Sequence, residues 1–162
     1  MASIKSSVSI RGLEQLRAAL RGLPASVQKR TLAGAVREAG KVVLKKAREL
    51  VPVDTGLLKR MLRVTRGKVR DSSAVAYVTV RRLTLKKIRE YKKLTGKSSS
   101  ANRNDPYYWQ VLEFGKLPRT KHPFIKPAFD AEKENAAKRL KDALRDGVEK
   151  EAKKLAWGGN PK

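Results

Sequence analysis

The sequence predicts an α+β fold, in which long N-terminal and C-terminal amphipathic helices pack on a small antiparallel sheet that also carries a long basic loop. Two long stretches, residues 24–50 and 127–155, place apolar side chains at the three-and-four spacing of a helix. Strand-like alternation is confined to shorter stretches. The 162 residues suit a single domain over 1–162, with an inserted loop at 81–104 and a tail at 157–162.

The N-terminal part of the chain predicts a short strand followed by two helices. Polar and apolar residues alternate from Ser7 to Ile10, and leucines and alanines recur at helical spacing over residues 13–20. Pro24 suits the first turn of the longer helix, because its fixed φ is helical and its missing N–H needs no partner there. That helix must end before Pro52, since the residue preceding a proline is displaced from the helical region.

The middle of the chain predicts a β-hairpin and then the basic loop. Residues 61–65 and 74–80 have strand character, with 67–73 as the connection between them. Both faces of the second strand are largely apolar, which predicts a central or covered position. Residues 81–104 contain nine basic residues and one acidic residue without sustained apolar spacing. We expect a loop there, with a transient helix around 85–94.

An aromatic segment precedes the C-terminal helix. Residues 106–115 contain four of the nine aromatic residues, which makes this segment the strongest apolar signal in the chain. A packed core or a subunit contact is the favoured interpretation, and a base-stacking platform is the alternative. The predicted subunit-interface residues come from this segment and from the start of the last helix: Tyr107, Tyr108, Trp109, Phe114, Pro123, Phe124 and Phe129.

The chain is strongly basic, with 39 Lys and Arg residues against 15 Asp and Glu residues and a net charge of +24. Residues 61–100 hold twelve of these basic residues and two of the acidic ones. Because self-repulsion of this size disfavours a compact state, we expect a polyanionic partner, with nucleic acid as the favoured class. The predicted DNA-facing residues are the basic residues of the inserted loop: Arg81, Arg82, Lys86, Lys87, Arg89, Lys92, Lys93, Lys97 and Arg103.

Several function classes are disfavoured by residue types that the sequence lacks. Without cysteine there is no disulfide framework, thiolate metal site or cysteine nucleophile. The single histidine, His122, belongs to no metal-binding spacing, so neither a metal site nor a cofactor is predicted. No stretch approaches the roughly 20 apolar residues of a membrane span, and no export signal is evident. We therefore expect a soluble, intracellular chain without membrane contact.

One triplet, Asp54-Thr55-Gly56, resembles the aspartic-protease motif. That chemistry needs two carboxylates sharing a proton in an all-β scaffold, and the helical flanks here argue against it. We predict instead a structural turn formed by Pro52, Asp54, Thr55 and Gly56. A metal-dependent nuclease using Asp54 and Glu113 is a poorly supported alternative. The chain is therefore predicted not to be an enzyme.

Two blocks of sequence, taken with their order and separation, resemble a known family. Residues 51–58, Val-Pro-Val-Asp-Thr-Gly-Leu-Leu, follow a long amphipathic helix and precede a strand hairpin. An aromatic-rich segment then ends in residues 113–115, Glu-Phe-Gly, and residues 123–129, Pro-Phe-Ile-Lys-Pro-Ala-Phe, open the last helix. This combination resembles the tail-completion or neck-protein family of tailed bacteriophages, over about residues 5–150.

The resemblance implies a structural virion protein that forms a ring at the head–tail junction, around the channel through which the genome passes. Its implied partners are further copies of the chain, head-completion or adaptor proteins, tail-tube or terminator proteins, and double-stranded DNA. A hexameric ring fits a tail-tube neighbour and a dodecameric ring fits a head-adaptor neighbour; the resemblance favours the hexamer. It places assembly in the host cytoplasm. The alternative supported by charge alone is a stand-alone, sequence-independent nucleic-acid-binding protein.

Overall fold

Two long helices form the frame of the fold. The computed structural model describes residues 13–54, 56–70, 73–98, 101–102, 104–115 and 121–157. Helix α1 spans Leu13–Arg21, helix α2 spans Ala25–Leu50 and the last helix, α6, spans Ile125–Trp157. Helices α2 and α6 contact each other more extensively than any other pair of described elements. The three predicted helices are thus confirmed, with Pro24 as the residue immediately before α2.

A missing side chain lets α2 and α6 approach closely. A Cβ atom on Gly147 of α6 would lie 2.6 Å from the Thr31 methyl carbon of α2, so this crossing requires glycine. Further along α2, Glu38 pairs with Arg139 at 3.8 Å. Because the later residue of α2 faces the earlier residue of α6, the two helices run antiparallel.

A two-stranded antiparallel sheet lies against α2. Strand β1 spans Leu62–Arg70 and strand β2 spans Ser73–Val80. The pairing shifts at Gly67 and Lys68, where β1 has one residue more than β2. The predicted connection over 67–73 is therefore wrong. This bulge absorbs the extra residue, and pairing continues to the end of β1.

Strand β2 is covered on one face only. Ala76, Val78 and Val80 are buried or half-buried on the face that packs on α2. On the opposite face, Val75 and Tyr77 are 44% and 56% exposed. The prediction of a central or covered strand is correct for the inner face alone, because within the described chain β2 pairs with β1 only.

The core lies where α2, α6 and the sheet meet. Half-buried side chains of the short helix α5, Trp109–Phe114, pack against it. The buried members come from these elements and from the turns beside them: Val43, Ala47, Val51, Leu58, Leu62, Val80, Phe124, Ala128 and Ala136. These contacts confirm the predicted α+β architecture of long helices on a small sheet.

The predicted basic loop contains a regular helix, α4, over Leu85–Thr95. The Thr84 hydroxyl oxygen accepts a backbone N–H of the first turn at 3.5 Å, and Gly96 ends the helix. The helix predicted around residues 85–94 is therefore confirmed, whereas the description of residues 81–104 as one long loop is wrong for this part. Lys and Arg are good helix formers, and Ile88 and Tyr91 give the helix a half-buried side.

Two predicted elements fall outside the described residues. They are the strand at residues 7–10 and the tail, of which only Trp157 is described, as the last residue of α6. The basic residue Arg103 and the turn residue Thr55 also lie outside the described residues. None of the helices in the described chain has both the length and the apolar character needed to cross a membrane.

Candidate assembly and nucleic-acid surfaces

The turn after α2 directs two leucines into the core. Gly56 has a φ of 70°, in the left-handed region that side chains disfavour, and it directly precedes the short helix α3, Leu57–Met61. Leu57 and Leu58 follow it and are 7% and 2% exposed. The first sequence block therefore makes a sharp connection that ends in the core. This geometry explains why a glycine stands at residue 56.

The other described residues of this turn stay at the surface and approach the aromatic segment. Pro52 and Asp54 are exposed. Burial raises the pKa of the Tyr108 hydroxyl, and the negative charge of Asp54 raises it further. Val51 and Leu58 of the first sequence block also belong to the core against which Tyr108 packs, so the two segments, which are far apart in the sequence, meet at one core.

Glu113 joins the two halves of the second sequence block. This residue of α5 is 5% exposed. Its Oε2 accepts the backbone N–H groups of Phe124 and Ile125 at 2.8 and 2.9 Å, and its Oε1 accepts that of Lys126 at 2.8 Å. These donors belong to the start of α6, where N–H groups lack helical partners and a negative charge is favoured. Glu113 therefore caps α6 from another helix.

The cap fixes the chain at the start of α6 and corrects the assignment of Phe124 to a subunit interface. Phe124 is completely buried, so its side chain belongs to the protomer core and offers a neighbouring subunit no surface. Both carboxylate oxygens of Glu113 accept backbone N–H groups at the start of α6. Among the described residues, no three His, Asp or Glu side chains are grouped to hold a metal ion.

The remaining predicted interface residues differ in the surface that they offer. Phe114 and Tyr107 are 51% and 37% exposed, and Pro123 is also exposed. The half-buried members pack on the protomer core: Tyr108, Trp109 and Phe129. Phe114, Tyr107 and Pro123 are therefore the members of this set that are best placed for a subunit contact. We call these two aromatic residues and this proline the aromatic surface.

An ion pair closes the base of the basic insertion. The Arg82 guanidinium donates from Nη2 to Oδ2 of Asp105 at 3.0 Å and from Nε to Oδ1 at 3.3 Å. The Asp105 side chain is fully buried and that of Arg82 is 43% exposed. Hydrogen bonding to Asp105 raises the pKa of Arg82. The pair brackets residues 83–104, which we call the basic arm, and it holds the two ends of the arm together.

Within the arm, α4 turns three cations away from the protein. Ile88 and Tyr91 are half-buried on one side of the helix, and the Tyr91 hydroxyl donates to the Ala101 carbonyl oxygen at 3.1 Å. The opposite side presents three exposed side chains at i, i+3 and i+7 spacing, which we call the basic stripe: Lys86, Arg89 and Lys93. The arm therefore has an inner side that is anchored and an outer side that is cationic.

The predicted DNA-facing residues separate into three groups in the structure. Arg82 is engaged with Asp105 and is better described as a structural residue of the arm base. Lys87 lies beside Glu90 in a groove of about 660 Å³ between α4 and α3. The remaining described members are exposed: Arg81, Lys86, Arg89, Lys92, Lys93 and Lys97. Among these exposed residues, those of the basic stripe have the most regular spacing along a helix.

Sequence reasoning missed four exposed cations along β1, which do not share one face of the sheet because Arg63 and Arg66 are an odd number of residues apart. Arg63, Arg66, Lys68 and Arg70 are all exposed, whereas the sequence of β2 contains no charged residue. The charge excess over residues 61–100 signalled these cations. Because residues 67–73 were predicted as a connection, these cations were not recognised as belonging to one strand.

Replacing Arg82 by Met is expected to loosen the basic arm, because Asp105 would keep a buried charge without its partner. Breaking a buried ion pair in this way costs about 3–5 kcal/mol in general, and we expect about 2 kcal/mol here because Arg82 is partly exposed. Trypsin should then cleave within residues 83–104 at least about tenfold faster. Asp105→Asn should have a smaller effect, since the freed guanidinium can be hydrated.

A matched exposed ion pair provides the control for the pair of Arg82 and Asp105. Lys41 contacts Glu38 at 2.6 Å within one turn of α2, with both side chains partly exposed. Lys41→Met should leave arm cleavage unchanged, because exposed pairs contribute less than about 1 kcal/mol. A larger effect of Asp105→Asn than of Arg82→Met would contradict the proposed role of the buried carboxylate.

A family model matches residues 14–115, which is more than half of the chain. Its description is "Bacteriophage HK97-gp10, putative tail-component". The matched region includes the turn at Gly56, the hairpin, the basic arm and Glu113, and it ends before the α6 residues that Glu113 caps. No curated protein and no solved structure matches the chain.

Proposed function

Since this chain belongs to the HK97-gp10-like family of bacteriophage tail components, we propose that it forms a ring at the junction of head and tail. The ring surrounds the channel through which the DNA passes. It is a hexamer that assembles in the host cytoplasm and joins head-completion or adaptor proteins to tail-tube or terminator proteins. The role is structural, without catalysis. The basic arms face the DNA.

The fixed base of the basic arm carries this proposal. Arg82 and Asp105 hold the two ends of the arm, and the Tyr91 hydroxyl ties α4 to the returning chain at Ala101. The basic stripe is therefore presented without a prior rearrangement, which lowers the cost of ordering side chains on contact. The Lys and Arg side chains of the stripe can pair with phosphate oxygens, and phosphate contacts carry no sequence information. Such contacts suit a channel through which any genome sequence passes.

A closed ring would bring together one basic stripe from each subunit. Identical arms converge in a cyclic assembly, so each added subunit contributes another basic stripe to the same channel. Ring closure needs head-to-tail contacts between two different surfaces of the subunit. The aromatic surface of Phe114, Tyr107 and Pro123 is the candidate for one of them, because exposed aromatic side chains dominate the energetics of many interfaces.

Light scattering on nuclease-treated protein at low and high salt tests the ring. We expect a discrete multimer that persists at high salt, since apolar subunit contacts are not screened, and a ring with a central hole in negative stain. Salt-resistance distinguishes this multimer from association through contaminating nucleic acid, which high salt disperses.

A monomeric result is resolved by adding the phage particles themselves. A neck subunit that closes its ring only on the virion would bind isolated heads or tails and form a ring there. A monomer that binds DNA but neither particle would contradict the neck proposal. It would establish the stand-alone nucleic-acid-binding function, which the net charge of +24 also supports.

A further inference from the structure

The β-hairpin has an inner face against α2 and an outer face turned away from it. A Cβ atom on Gly40 of α2 would be 3.0 Å from a Val64 methyl carbon and 3.8 Å from the Ala76 Cβ atom, so these two residues mark the inner face. Because side chains alternate along a strand, Val75 and Tyr77 belong to the outer face, where they are 44% and 56% exposed. The outer face therefore offers two neighbouring apolar side chains to a ligand.

The bulge in β1 places two arginines on this outer face. Arg63 pairs with Thr79, and Arg70 pairs with Ser73. Both partners are outer residues of β2 by the same alternation, and directly paired residues share a face. In a regular strand, Arg63 and Arg70 would point to opposite faces because they are seven positions apart. The extra residue of the bulge changes that alternation, so both exposed arginines point outward.

The Tyr77 ring lies over a residue that has no side chain. A Cβ atom on Gly67 of β1 would be 2.8 Å from Cε2 of the Tyr77 ring and 3.1 Å from the Val75 Cβ atom. Any other residue at this position would displace the ring. The glycine thus lets the ring lie against the strand while the tyrosine stays 56% exposed. An aromatic ring that is positioned in this way can stack on a nucleotide base at a low cost in side-chain ordering.

The outer face combines this exposed ring with positive charge. Arg63 is the diagonal neighbour of Tyr77 across the two strands, which places their Cβ atoms within about 8 Å. The pairing partners of Arg63 and Arg70 lie about 20 Å apart along β2. Neither β1 nor β2 contains an acidic residue, so no side chain of these strands repels a phosphate backbone. We propose that the outer face binds single-stranded DNA, with a base stacked on Tyr77 and phosphates on Arg63 and Arg70.

The exposed tyrosine favours a single strand over a duplex. A base can stack on a side chain only when it is free of its neighbours in a helix, as in single strands. Phosphate contacts, in contrast, are made with either form of DNA. Tyr77 should therefore add affinity for a single strand alone. This binding needs neither the ring nor the basic arm, because both strands of the hairpin lie outside residues 83–104.

Fluorescence anisotropy with an oligothymidylate and with a random-sequence duplex of the same length tests the role of Tyr77. Tyr77→Leu keeps an apolar side chain beside Gly67 and should weaken binding of the oligothymidylate about tenfold, because base stacking is lost. Tyr77→Phe keeps the ring and should retain the affinity to within about twofold. Both variants should bind the duplex as the unaltered protein does, which also shows that they are folded.

Two variants on β1 remove the same charge from opposite faces of the hairpin. Arg66 pairs with Ala76 on the inner face and is exposed, so it is the matched control for Arg63. Each phosphate contact with a single strand contributes about 0.7 to the magnitude of the slope of log K against log salt. Arg63→Gln should lower that magnitude by about 0.7 for the oligothymidylate. Arg66→Gln should leave it nearly unchanged.

Three results would overturn the proposal. One is an unchanged affinity of Tyr77→Leu for the oligothymidylate, which would show that no base stacks on this residue. Another is an equal change of slope in Arg63→Gln and Arg66→Gln, which would mean that net charge rather than the outer face attracts the strand. The third is a smaller multimer of Tyr77→Leu in light scattering, because it would assign the outer face to a contact between subunits.

Discussion

Replacing Glu113 by Gln is expected to lower the melting temperature by about 5–10 °C. The carboxylate accepts three backbone N–H groups at the start of α6, at 2.8, 2.9 and 2.8 Å, while it is 5% exposed. Hydrogen bonds to a charged group contribute about 1.5–3 kcal/mol, and the amide keeps a single acceptor oxygen. A loss of about 2–3 kcal/mol corresponds to this temperature shift in a chain of this size.

A second carboxylate on α6 provides the matched control. Glu149 is 60% exposed and lies 3.9 Å from Arg145 one turn away. Glu149→Gln removes the same charge and should lower stability by less than about 0.5 kcal/mol. Amide exchange at Phe124 to Lys126 should rise in the Glu113 variant alone. Equal melting temperatures of the two variants would show that Glu113 does not stabilise α6 as a cap.

The effect of the cap should extend to assembly. Glu113 lies beside Phe114 in sequence, and the N–H groups it binds follow Pro123, so the cap connects two members of the aromatic surface. If this surface joins subunits, Glu113→Gln should weaken the multimer in light scattering at temperatures where the variant is still folded. This result would link the geometry of the cap within the protomer to the contacts between protomers.

The long helices could be predicted from sequence because their signals are local. Apolar spacing marks α2 and α6, and Pro24 and Pro52 bound α2 tightly. The end of β1 could not be predicted in this way. Gly67 and Lys68 resemble the start of a turn, and only the pairing partner in β2 shows that they form a bulge within a continuing strand.

The candidate site was harder to predict than the helices, because it is formed by contacts between residues that are distant in the sequence. The sequence placed Glu113 in a recognisable block, but its role as a cap requires the start of α6 to lie next to α5, which no local pattern reveals. Arg82 was indistinguishable from its basic neighbours until the structure placed buried Asp105 beside it. Phe124 was assigned to an interface by residue type, since apolar side chains of cores and interfaces look alike in a sequence.

Neutralising the basic stripe should weaken binding to a random-sequence DNA duplex by about 100-fold near 0.1 M salt. The variant combines Lys86→Gln, Arg89→Gln and Lys93→Gln, and glutamine preserves the helix propensity of α4. Each lost phosphate contact removes about 0.9 from the magnitude of the slope of log K against log salt. If each side chain contacts one phosphate, fluorescence anisotropy across a salt series should show that magnitude reduced by about 2.7.

The control must remove the same charge from a helix that does not face the DNA. Lys133, Lys138 and Lys141 are exposed on α6. Their replacement by glutamine should lower affinity much less and leave the salt slope nearly unchanged, because only general attraction is reduced. Both variants should form the same multimer, since the basic arm is not assigned to the subunit contact. Equal losses in affinity and slope would mean that net charge, rather than the basic arm, governs DNA binding.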